Sequence, residues 1–130
     1  MAIVRATESP RFDLPGVPGI HFFGLLAPGR GSTELCTWRL EVDPGAGAND
    51  EPHQLDHEEV FVILEGSLTI TIDGQAFDLG AGDALAVPAR SWLLVANRTS
   101  AKASALVCIR AGFRATMASG EEIDTPPWAV

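Results

Sequence analysis

The apolar residues of this chain come in short runs, each cut off by a turn signal, and that spacing leaves few architectures open. LCTWRLEV (35–42) puts Cys36, Trp38, Leu40 and Val42 on one side and Thr37, Arg39 and Glu41 on the other. SLTITIDGQAFDL (67–79) alternates throughout around Asp73-Gly74, two residue types that tolerate the left-handed backbone of a tight hairpin turn. EVFVIL (59–64) is apolar without a break, and DALAVP (83–88), SWLLVANR (91–98) and SALVCIR (104–110) complete the set. No segment sustains a period near 3.6, so long amphipathic helices are excluded. Close-spaced short strands predict an all-β sandwich or barrel. Before them, SPRFDLPGVPGIHFFGLLAPGRG (9–31) is dense in Pro and Gly and predicts an extended arm broken by turns. DPGAGANDEP (43–52) reads as a loop, and EEIDTPPWAV as an extended tail. No repeat or linker divides the 130 residues, which suffice for one domain with a real core.

Charge narrows the partners. The formal net charge is -8 and the pI about 4.7, with nine Lys and Arg residues scattered along the chain. Such a surface repels phosphate backbones and anionic membranes, so neither nucleic acid nor membrane is expected as a partner. No run approaches the roughly 20 apolar residues of a membrane span. MAIVRATESPRFD has no basic start followed by an apolar core, so a cytoplasmic location is expected. Cys36 and Cys108 sit in strand-like apolar contexts and read as buried, reduced thiols.

Chemistry concentrates in HQLDHEEVFVILEG (53–66). Together with Gly47, this stretch resembles the first motif of the cupin family: Gly47, His53, Glu59 and Gly66 fall in register. Gly82, Pro88 and Asn97 match the second motif, with Arg90 in place of a turn glycine. The resemblance covers about residues 43–110, flanked by an N-terminal arm (1–34) and a C-terminal tail (111–130). It implies a small double-stranded β-helix, or jelly-roll, barrel, and a homodimer. Metal-binding cupins use two histidines and a glutamate from motif one and a histidine from motif two. Here Leu55 and Leu93 stand at two of those four positions.

Leucine has no lone pair, and two protein ligands seldom hold a divalent transition metal. No cofactor is the expectation that follows. A set of His53, His57 and Glu59 is the competing one: His57 has the parity of Glu59, and two imidazoles with a carboxylate suit Fe, Mn, Ni, Cu or Zn.

With Glu59 facing inward, strand alternation also turns Phe61 and Ile63 inward, and Leu93 brings Val95 with it. The expected pocket is an apolar cup of Leu55, Phe61, Ile63, Leu93 and Val95, joined by Trp38, with His53 and Glu59 as its polar pair. Val60, Val62, Leu64, Trp92 and Leu94 would face outward and need cover, which fits a dimer. Two functions stay open. One is a metabolic enzyme using His53 and Glu59 as acid and base for isomerisation, cyclisation or dehydration of a small metabolite. The other is a non-catalytic protein that binds or senses a small molecule.

Overall fold

The computed structural model describes residues 1–130 as two six-stranded antiparallel sheets packed face to face. The first runs β1 (Arg11–Asp13), β2 (Ile20–Gly24), β3 (Leu35–Val42), β10 (Ala103–Arg110), β5 (Glu59–Glu65), β8 (Ala84–Val87). The second runs β12 (Glu122–Ile123), β11 (Ala115–Met117), β4 (His53–Leu55), β9 (Leu93–Ala96), β6 (Ser67–Ile72), β7 (Gln75–Gly80). The central eight strands make the jelly roll. The β1–β2 hairpin and the β11–β12 hairpin extend one edge of each sheet.

Both flanks are therefore more structured than the Pro and Gly content predicts. Phe12 and Phe22 pair across β1 and β2 on the inner face, and β2 in turn pairs with β3. That apolar pairing folds the arm onto the core. The tail pairs Ala115 with Leu55 through β11, then ends in a single 3-10 turn, Pro127–Ala129, packed on β1, β2 and β3. His53–Leu55 is also a strand, although it is too short to show a pattern of its own.

Alternation fixes what faces the core. Glu59, Phe61 and Ile63 point inward opposite Ile109, Val107 and Ala105. Val60 and Val62 face out beside Cys108 and Leu106. Cys36 is buried in the core, whereas Cys108 is only half-buried on the outer face; both are free thiols. The expected outer patch is split: Val60, Val62 and Leu64 belong to the first sheet, while Trp92 and Leu94 flank or lie on the second.

The loop between β3 and β4 is tied to the end of β9. Gly45 N–H donates to Asn97 O and Asn97 N–H to Ala46 O, at 2.8 and 2.9 Å. The Asn97 side chain is fully buried and donates to Val42 O and Ala101 O, while Thr99 N–H donates to its Oδ1. Arg90 adopts φ 65°, so the left-handed turn survives without its glycine. No helix is long and apolar enough to cross a membrane.

Candidate functional site

Between the sheets lies a cavity of about 530 Å³. His53 enters it from β4, where it pairs with Leu93 of β9. Glu59 enters from the opposite sheet, as the first residue of β5. Leu55, Phe61, Leu93, Val95 and Trp38 line the same space; Leu94, expected on the outer face, borders it too, because the cavity reaches the edge of β9. Ile63 does not: it lies two residues further along β5 and is fully packed in the core. Its backbone bonds to Asp83 O and Gly82 N lock that end of the strand.

Glu59 is the unusual group. Only 4% of its surface is exposed, and its Oε1 has no hydrogen-bond partner. Desolvation, with no compensating charge, pushes its pKa from 4.5 to about 8. Burial also pulls the His53 pKa below its ordinary value. No hydrogen bond joins the two, so they do not quench each other. At neutral pH the cavity thus holds a protonated carboxyl and a neutral imidazole, a donor and an acceptor of protons on facing walls.

His57 lies elsewhere. Its Nδ1 is 2.7 Å from Asp56 Oδ1, and it borders a shallow groove on the outer surface with Val60 and Cys108. Residues 56 and 57 form a bend before β5 begins at Glu59, so strand parity does not carry back to His57. The set of His53, His57 and Glu59 is not assembled. His21 also stays outside, pinned between Asp13 and Asp43 at 2.6 and 3.0 Å, and Arg39 lies over the Phe23 ring on the outer face.

Several lining residues carry weak sequence signals or none. Phe22 and Phe113 add rings to the wall; Leu14 and Val17 from the β1–β2 loop, with Asp50, Glu51 and Glu121, stand at the mouth. Trp128 closes one side: it stacks on Phe22 with ring centroids 3.9 Å apart and lies edge-on to Trp38. Arg30 clamps the tail by donating to Leu25 O at 2.6 Å and to Trp128 O. Cys36 Sγ donates to Ala129 O at 3.2 Å. The sequence leaves Pro126, Pro127 and Trp128 open between closing the mouth of the fold and gripping a partner subunit; in the structure Trp128 lies against the cavity.

The cupin-domain profile matches residues 38–109. This chain belongs to the cupin family. Beta-D-galactosidase Rv1717 of Mycobacterium tuberculosis is 32% identical over 110 residues, covering 84% of this chain and 93% of that protein. The polyketide cyclase RemF from Streptomyces resistomycificus superposes with a TM-score of 0.74 at 21% identity, over 85% of this chain and 79% of that one. A sugar phosphate isomerase of the cupin superfamily from Silicibacter pomeroyi gives 0.74 at 20% identity, over 98% and 95%. At such identities the structural likeness speaks for the fold.

In this cupin the family's metal does not fit the residues present. Nowhere do three His, Cys, Asp or Glu side chains converge as donors. Leu55 and Leu93 occupy the cavity beside His53, where donors would be needed. Introducing Leu55→His and Leu93→His together is expected to raise affinity for a divalent transition metal at least about tenfold by completing a four-donor set. Calorimetric titration with Zn or Ni checks this; unchanged affinity would mean the motifs are out of register.

Proposed function

We propose that this cupin is a small-molecule enzyme whose cavity performs acid/base chemistry without a metal: isomerisation, cyclisation or dehydration of a small metabolite. The observation that carries this reading is the buried, unpartnered carboxyl of Glu59 on the cavity wall facing a neutral His53. Neutral His53 takes a proton from a substrate carbon or hydroxyl, and the Glu59 carboxyl returns one at a second position. The pair passes through an imidazolium and a carboxylate and resets when the imidazolium releases its proton to water and the carboxylate takes one up. Activity should rise with pH through the depressed His53 pKa and fall above about 8, where Glu59 loses its proton.

Relatives named for isomerase and cyclase activities support this class of chemistry. Glycoside hydrolysis, named for one relative, calls for two carboxyl groups flanking the bond; here Glu59 is the one fully buried carboxyl in the cavity, Asp50 is half-buried, and Glu51 and Glu121 are exposed. The test is solvent exchange: candidate hydroxy and keto compounds are incubated with the protein in heavy water, and deuterium uptake at carbon is followed by NMR. Exchange that survives Glu59→Gln and His53→Gln unchanged would sink the acid/base role. Binding with no exchange for any compound would favour the non-catalytic reading.

The outer face of the first sheet also supports a homodimer. Val60, Val62, Leu106 and Cys108 form an apolar strip there, continued by the exposed Leu35 and Leu64. A second copy is the occupant we propose: Val60, Val62, Leu106 and Cys108 are only half-buried in the single chain, and the frequent homodimers of cupins fit such a face. Sedimentation equilibrium should give a dimer at micromolar concentration, and Val62→Glu should shift it to monomer.

A further inference from the structure

We infer that the ligand of this cavity is uncharged or cationic, flat and apolar over most of its surface, with an acceptor for Trp128 Nε1 and a polar group for Glu59. The inference rests on the proposal that the cavity is a small-molecule site, and adds the class of molecule. Three independent features of the lining support it.

The first is charge. The lining contains Asp50, Glu51, Glu59 and Glu121 but no Lys or Arg. Two cationic side chains on segments next to the lining are already engaged: Arg30 holds the tail carbonyl of Trp128, and Arg114 pairs with Asp124 at 2.7 Å. The helices are single 3-10 turns, so no helix terminus supplies an anion site either. A phosphate or carboxylate entering here would lose its water, find no cation, and pass the Asp50, Glu51 and Glu121 carboxyls at the mouth. Phosphorylated sugars and carboxylic acids are therefore poor candidates.

The second is shape and surface. Five aromatic residues, Phe22, Trp38, Phe61, Phe113 and Trp128, line the cavity. Ring walls favour planar, apolar guests.

The third is the pair of atoms left without partners. Trp128 Nε1 is buried and unpaired, and so is Glu59 Oε1. Both residues are at least nine-tenths buried and border the cavity. Buried polar atoms left open are costly, and a ligand carrying a carbonyl or hydroxyl group at each position satisfies both. With so few interior polar groups, a free sugar would leave most of its hydroxyls unpaired.

The experiment is calorimetric titration at pH 7 with three probes of one ring system: 2-naphthol, 2-naphthoate and 2-naphthyl phosphate. We expect 2-naphthol to bind at least about tenfold more tightly than either anion. Neutralising the mouth with Asp50→Asn, Glu51→Gln and Glu121→Gln should narrow that gap. Trp128→Phe keeps a ring but removes the donor, and should weaken 2-naphthol roughly three- to tenfold. An anion that binds as tightly as 2-naphthol, or no detectable 2-naphthol binding at millimolar concentration, overturns the inference. Failure of the acid/base reading looks different: there, selectivity among the probes persists while solvent exchange is indifferent to Glu59→Gln.

Discussion

Glu59→Gln is expected to make the protein more stable at pH 8 than the wild type while lowering turnover by about 10²–10⁴-fold. The stability part needs no substrate. Below pH 4.5 the carboxyl is protonated in both folded and unfolded chains, so it confers no pH dependence. Between 4.5 and about 8 the unfolded chain has released the proton while the folded one still holds it. Unfolding then releases a proton, so stability falls as pH rises, on the order of 1.4 kcal/mol per pH unit from this group. Above about 8 the folded form ionises too and the loss levels off. Glutamine keeps the shape and cannot ionise, so urea unfolding of the variant between pH 5 and 8 should be flatter by several kcal/mol in all. Parallel slopes for the two proteins would mean that Glu59 is solvated and ordinary. A group that destabilises the fold at working pH, yet stands in the cavity, has the profile of one retained for chemistry.

Gly47→Ala is expected to cost more than about 3 kcal/mol, enough to threaten folding of a small domain. Gly47 has φ 91°, where an L side chain is strained, and an added Cβ would lie 2.1 Å from Val95 O and 3.0 Å from Ala96 Cα. Both neighbours are backbone atoms of β9, held in register with β6, so they cannot swing aside. The loop that turns at Gly47 also leads to Asp50, Glu51 and His53. Any variant that does fold should show a displaced His53 and weakened probe binding as well as a lower thermal midpoint. A midpoint within a degree or two of wild type would contradict the close approach of these two segments.

The inward set on β5 was legible in the sequence because side chains alternate along a strand and Glu59 fixes the phase: Phe61 and Ile63 had to follow. The same rule failed at His57. Phase is defined only within a strand, and the bend at 56–57 resets it before β5 begins. Ile63 shows a second limit: alternation gives the face of a residue but not how far along the strand a cavity reaches. Trp128 was the least legible of all, since its place depends on contacts with Phe22, Trp38 and Arg30, which are distant in the chain.

By itself the sequence determined the central strands and most of their faces, which depend on period and residue type, while the resemblance to the cupin motifs marked Leu55 and Leu93 as standing where donors would be. The tertiary structure decided the rest: which groups share one enclosed space, how dry that space is, and therefore that Glu59 holds its proton. Desolvation is a property of everything packed around a carboxyl, and that packing is assembled from both sheets and both ends of the chain.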